Sequence, residues 1–248
     1  MKAMILAAGL GTRLRPLTTD RPKALVEIAG RTLLEITLER LRGFGIGDVI
    51  INVHHFAGMV EQYLKAHDDF GMRIEISRES ELLDTGGGLK KAAHFFLRDA
   101  ADEPFILHNV DVLSSIDLGA MVKFHVEHQA LATLAVQQRE SSRQLLFDER
   151  LQLCGWVNAG DGKAEVACPA ALPGRALAFS GIHVISPRIF SRLVEQQAFA
   201  IIPAYLRLSR EGEGILGYCA GNAYWRDLGT PASVQQAAED VARKAIAF

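Results

Sequence analysis

The sequence predicts a single α/β domain spanning residues 1–248. In the first half, strand-like and helical stretches alternate with short connections, the pattern of parallel strands joined by right-handed crossovers. Hydrophobic residues make up 49% of the chain, enough for a sizeable core and too many for global disorder. The length suits one large domain, and no internal repeat or low-complexity linker divides it.

An apolar strand covers about residues 2–8. Thr32 then starts a helix reaching about Phe44: Thr32 with Glu35 fits a capping box, and Leu33, Leu34, Ile36, Leu38 and Leu41 supply the apolar face. The β-branched run 48–53 is a buried strand. Residues 56–65 read as helix, 73–77 as strand, 88–97 as helix and 104–108 as strand. A helix over 118–128 leads into a strand over 130–137, then strand-like pieces at 145–147 and 152–157. Residues 158–175 are rich in Gly, Ala and Pro and read as a loop. A strong strand covers 176–185, and Ser186-Pro187 is a capped helix start. A helix over 202–209, strand pieces at 215–219 and 224–225, and a helix from Thr230-Pro231 to about Ala245 complete the chain.

The segment from Met4 to Lys23, MILAAGLGTRLRPLTTDRPK, carries the most chemistry. Its strand runs into a loop with Gly9 and Gly11, which let backbone N–H groups approach an anion. Arg13 then offers a planar fork for phosphate oxygens and Lys23 a point charge. Together they predict a polyphosphate cradle at the carboxyl end of the first strand, where open α/β sheets bind ligands. A dinucleotide GxGxxG turn does not fit, because Leu14 takes the third position and Pro16 and Pro22 follow. No GxxxxGK[ST] string occurs.

The string AAGLGTRLRPLT…PK resembles the signature of the sugar-1-phosphate nucleotidyltransferases. Asp84-Thr-Gly-Gly-Gly-Leu89, Asn109-Val-Asp111, Phe179-Ser-Gly-Ile182 and Trp225-Arg-Asp-Leu-Gly-Thr230 resemble later blocks of that family, in order, over nearly the whole chain. Within it, the short length and TGGG block are most similar to N-acetylmuramate-1-phosphate uridylyltransferases and short mannose-1-phosphate guanylyltransferases. The resemblance implies a Rossmann-like (GT-A type) three-layer α/β fold with a mixed, mostly parallel central sheet. It implies a nucleotide-binding half (1–115) and a sugar-phosphate-binding half (116–248), without the C-terminal β-helix of longer members.

Asp111, just after a strand, and Asp227 suit as a pair a hard cation whose other positions go to water and phosphates. In the family these positions hold Mg2+. The family's usual Asn-Gly-Asp has Val110 at its centre here, where Gly could adopt backbone angles that Val cannot. A sugar-1-phosphate, with a second pKa near ~6, is already largely a dianion and needs no general base. Repulsion between anions and charge on departing pyrophosphate are the obstacles, met by Mg2+, Arg13 and Lys23. Arg13, Lys23 and Asp111 are therefore the expected catalytic residues.

Leu6, Ala7, Ala8, Gly9, Gly11, Thr12, Arg13 and Lys23 are the expected nucleotide contacts, with Thr85 and Gly86 from the glycine block. Taken alone, that block also reads as a glycine cluster starting the next helix. Asp84 and Glu79 are further candidates to accept from a base N–H. The family's Glu-Lys-Pro sugar block is missing; Gly155-Trp156-Val157-Asn158 occupies that region. Lys23, Asn109, Asn158 and Gly181 are the expected sugar-phosphate contacts, and Trp156 and Trp225 either stack on a sugar or belong to the core.

His125 and His128 read as a solvated helix face, His54-His55 as loop chemistry and His108 as core. No Ser-His-Asp order or G-x-S-x-G elbow supports acyl transfer. A net charge of −2 argues against nucleic acid as a partner. Cys154, Cys168 and Cys219 contain no CxxC pair, and an odd cysteine count with no leader before the first strand predicts a cytoplasmic protein. No apolar run approaches the ~20 residues of a membrane span. The expected partners are an NTP and a sugar-1-phosphate, the expected state a monomer or small homo-oligomer. UTP with N-acetylmuramate-1-phosphate or a related hexose is the favoured pair. Mannose-1-phosphate guanylyl transfer, phosphocholine cytidylyl transfer and a non-catalytic nucleotide-sugar sensor are the alternatives. A glycosyltransferase is disfavoured, because Asn109 stands where the first Asp of an Asp-x-Asp pair belongs.

Overall fold

The computed structural model describes residues 1–98, 102–158, 160–167 and 174–246. β1 (Lys2–Leu6) leads through the opening loop to a small hairpin of β2 (Glu27–Ile28) and β3 (Arg31–Thr32). Then come α1 (Leu33–Gly43), β4 (Asp48–Val53), α2 (Ala57–Ala66), β5 (Arg73–Arg78), α3 (Asp84–Lys91), α4 (Ala93–Leu97) and β6 (Phe105–Asn109). β6, β1, β4 and β5 lie side by side and parallel, with Ile5 between Ile51 and His108.

The second half adds β7 (Val112–Ser114), α5 (Leu118–Glu127), β8 (Ala132–Gln137), β9 (Arg143–Phe147), β10 (Leu153–Asn158), β11 (Ala164–Val166) and the long β12 (Arg175–Ile185). α6 (Ile201–Arg210), β13 (Ile215–Cys219), β14 (Trp225–Asp227) and α7 (Pro231–Ala242) follow. β12 joins the halves: it runs antiparallel to β6 and also pairs with β8 and β9. Ten strands of the described residues thus form one mixed sheet, ordered β11-β10-β9-β12-β6-β1-β4-β5, with β8 and β13 branching from β12.

Alternation along β1 splits the interior into two cores. Ala3 and Ile5 face one, filled by α1, α2, α5 and α7; Met4 faces the other, filled by α3, α4 and α6. The result is the expected three-layer α/β fold with a mixed, mostly parallel sheet.

Thr32 caps α1 by accepting from the Glu35 amide at 3.1 Å, but Glu35 turns its carboxylate to Arg31 and Tyr63, so only half of the capping box forms. Several expectations need correction. The helix expected from Gly88 begins at Asp84, so the glycines lie inside its first turns. β11 interrupts the expected 158–175 loop and pairs Glu165 with Trp156; part of that loop, with Cys168, lies outside the described residues. Ser186-Pro187 starts only a 3-10 turn to Ser191, because Ser186 Oγ donates to Ala130 O instead of capping. His125 is buried rather than solvated, held between Thr133 Oγ1 and Ser186 Oγ at 2.9 Å each.

Candidate active site

The carboxyl ends of β1, β4 and β6 open onto a cleft of about 460 Å3. Leu6, Ala8 and Gly9 form its wall at β1. Beneath them the Ala7 amide donates to Asn52 Oδ1 at 2.8 Å, and Asn52 Nδ2 donates to Glu79 Oε1 at 2.7 Å. Glu79 Oε2 accepts from the Leu83 amide at 3.1 Å. Asn52 and Glu79 are both buried, so this chain of bonds fixes the loop after β1 to those after β4 and β5. Gly88 leaves it room: a Cβ there would lie 2.8 Å from Glu79 Oε1 and 2.9 Å from Asn52 Nδ2. Asn52 was not singled out from the sequence, although a polar residue ending a β-branched run is a usable signal.

The opening loop turns on Gly11, which has φ +64° and precedes a 3-10 turn over Thr12–Leu14. Thr18 Oγ1 closes the loop on Gly11 O at 2.8 Å, and buried Leu14 anchors it. Thr12 and Arg13 remain exposed. The Arg13 guanidinium lies against Gly229, where a Cβ would sit 2.7 Å from Arg13 Nη2 and 2.6 Å from Asp227 Oδ1. Lys23 reaches across the cleft, its Nζ 2.7 Å from Asp111 Oδ2.

Asp111 and Asp227 are brought together by the two shortest strands of the site. β14 pairs antiparallel with β7, setting Asp227 opposite Val112, and the Leu228 amide donates to Asp111 O at 2.8 Å. Val110 is buried, absent from the residues with positive φ, and donates its amide to Leu6 O at 3.2 Å, so the loop forms without the family's glycine. Asp227 Oδ1 accepts from the Gly229 amide at 2.9 Å. Among the described residues no three His, Cys, Asp or Glu side chains gather as a metal cage. Asp111 lines the cleft and Asp227 stands on the strand laddered beside it, and two such carboxylates suit a hard cation that takes its other oxygens from water and phosphate.

The glycine block has a structural use. The Gly86 amide donates to Phe199 O at 2.9 Å, Gly87 shares the same acceptor, and the Ile201 amide donates to Thr85 Oγ1. A Cβ on Gly86 would lie 2.2 Å from the Phe199 ring. The Gly86 amide is therefore committed inside the protein, while Thr85 and Asp84 line the cleft with Ala198.

On the side of the second half, Asn109 and Asp111 line the cleft. Gly181 has φ +73° and lies under Asn109, where a Cβ would be 3.0 Å from Asn109 Nδ2. Asn158 does not line the cleft; its Oδ1 accepts from the Gly160 amide and shapes the β10–β11 turn. The Trp156 indole donates to Glu165. The Trp225 indole donates to Ser180 O at 2.8 Å, with the Arg139 guanidinium 3.5 Å from its ring centre. Burial lowers the pKa of Arg139, and the Asp227 carboxylate opposes that shift. Arg139 was missed from the sequence, having no motif around it.

The nucleotidyl transferase family model matches residues 2–145, which includes the loop from Gly9 to Lys23 and Asp111. The chain belongs to the nucleotidyl transferase family. It is 33% identical over 240 residues to an N-acetylmuramate alpha-1-phosphate uridylyltransferase of Caulobacter vibrioides, covering 92% of each chain. It is 31% identical to a mannose-1-phosphate guanyltransferase of Neurospora crassa, with 93% of this chain spanning 61% of that one. The fold is shared with HddC of Yersinia pseudotuberculosis, crystallised with GMP-PN, at a TM-score of 0.77 and 22% identity over 97% of this chain and 99% of that one. No helix of the described residues is long and apolar enough to cross a membrane.

Proposed function

We propose that the chain joins a nucleoside triphosphate to a sugar-1-phosphate and releases pyrophosphate, with UTP and N-acetylmuramate-1-phosphate or a related hexose as its pair. The observation that supports this most is Lys23 paired with Asp111 in the cleft, with the strand that carries Asp227 laddered onto β7 just after Asp111 and Arg13 beside Asp227. The similarity to the Caulobacter uridylyltransferase over nearly the whole of both chains favours the substrate pair. Guanylyl transfer to mannose-1-phosphate is the second reading, favoured by the Neurospora relative.

In this reading, residues 1–115 hold the nucleotide and 116–248 the sugar phosphate. Leu6, Ala7, Ala8 and Gly9 border the nucleoside, and Gly11, Thr12 and Arg13 receive the triphosphate. Asp111 and Asp227 would hold Mg2+, which when bound screens the phosphate charges and steadies departing pyrophosphate. Lys23 draws the two reacting phosphates together as the sugar phosphate oxygen bonds to the α-phosphorus and the bond to pyrophosphate breaks. No residue need take a proton, since the attacking oxygen is already ionised. Asn109 and Gly181 meet the sugar. A cytoplasmic setting fits a reaction fed by nucleoside triphosphates.

The test is a matrix of four nucleoside triphosphates against a panel of sugar-1-phosphates and phosphocholine, read as pyrophosphate release. Release should require both substrates and Mg2+ and peak with UTP and N-acetylmuramate-1-phosphate. A nucleoside diphosphate as product, or no release from any pair, would overturn the proposal.

A further inference from the structure

Arg139 follows β8, which runs in the same direction as β6 and ends at the same edge of the sheet. A register slip in β12 between Phe179 and His183 leaves two neighbouring carbonyls to side-chain donors. Phe179 O accepts from Arg139 Nη2 at 2.7 Å, and Ser180 O accepts from Trp225 Nε1. The two donors stack on each other. Trp225 opens β14, which ends at Asp227. Arg139 is thus held near Asp227 by Phe179 O and the Trp225 ring, with its guanidinium half-buried. Among the described residues no carboxylate forms an ion pair with this guanidinium, and a half-buried unneutralised charge favours an anionic oxygen. Of the other cations here, Lys23 is paired with Asp111 and Arg13 lies at the triphosphate loop.

We propose that Arg139 is a specificity-determining residue that binds an anionic oxygen of the second substrate, given the sugar-1-phosphate reading above. Phosphate and a sugar carboxylate share this chemistry, and the experiment separates them.

Arg139→Gln keeps a donor for Phe179 O without the charge, and Arg139→Lys keeps the charge without the fork. Each is compared with the parent protein in steady-state pyrophosphate release, in melting temperature, and in calorimetric binding of glucose-1-phosphate and N-acetylmuramate-1-phosphate. Arg139→Gln should raise KM and Kd for the sugar phosphate roughly ten- to hundredfold, with KM for the triphosphate unchanged. Arg139→Lys should recover part of the loss. Weakening of both sugar phosphates assigns the contact to phosphate; weakening of N-acetylmuramate-1-phosphate alone assigns it to the carboxylate. Unchanged sugar-phosphate binding, or equal loss for both substrates with a lowered melting temperature, overturns the proposal. If the parent protein bound sugar phosphates but released no pyrophosphate, the reaction would be misassigned while the binding comparison still decided the role of Arg139.

Discussion

Lys23 and Asp111, 88 residues apart, form an ion pair with Nζ 2.7 Å from Oδ2. The pair joins the cation proposed for the phosphates to the carboxylate proposed for Mg2+. Each then occupies the other's place until substrate arrives, and this makes the first two expectations concrete.

Asp111→Ala should lower pyrophosphate release by about 10³-fold or more, a barrier increase of several kcal/mol. Asp111→Asn should be nearly as poor, since shape without charge does not replace a cation ligand. Initial rates across a Mg2+ series check both; near-normal turnover in either would remove Asp111 from the site.

Lys23→Ala should reduce kcat by about 10²-fold or more while changing KM for the triphosphate little, because its contact strengthens as the two phosphates converge. It should also lower the half-saturating Mg2+ concentration, since the Asp111 carboxylate loses its competing cation. A variant that changed only KM would place Lys23 in ground-state binding instead.

Two glycine substitutions should act by different routes. Gly229→Ala drives a methyl group into Arg13 and Asp227, so turnover should fall with little change in melting temperature. Gly86→Ala strikes the Phe199 ring and should cost about 1–3 kcal/mol of stability by overpacking. Gly43→Ala, at the end of α1 with nothing within 4 Å, is the control and should be neutral or slightly stabilising. Thermal melts beside pyrophosphate assays separate the three.

Acid should unfold the protein early. Burial depresses the pKa of His108 and His183 to about 3 and of His125 to about 4. Their folded-state values lie below the ordinary 6.5, so the unfolded chain binds more protons under acidic conditions. Stability from keeping them neutral is complete above pH 6.5 and falls as the pH drops toward 4. Each histidine contributes a slope of at most about 1.4 kcal/mol per pH unit. Urea denaturation at pH 7, 6 and 5 should show the decline, and a flat profile would refute it.

The parts of the site that could be read from the sequence are those set by local chemistry. Gly9, Gly11, Arg13 and Lys23 sit in one loop, so their spacing announces a phosphate cradle, while Asp111 was legible through its resemblance to the family's Asn-Gly-Asp block. Asn52 and Arg139 were hidden because their meaning depends on partners far along the chain, and Glu79, a candidate for the base, instead accepts from Asn52 and the Leu83 amide. The TGGG block has a packing use that is hidden for a related reason. Three glycines read either as a ligand loop or as the start of a helix; they lie inside α3, where their lack of side chains admits Phe199 and the Asn52–Glu79 pair. Asn158 lies away from the cleft, and its Oδ1 is used by its own turn.

The β7–β14 ladder also bears on synthesis. Asp227 comes from a three-residue strand that follows β13, the last member of the large sheet among the described residues. A nascent chain could assemble that whole sheet on the ribosome and still be inert. In the proposed function, catalytic competence would switch on only when β14 emerges and docks on β7, protecting triphosphates from a half-made enzyme.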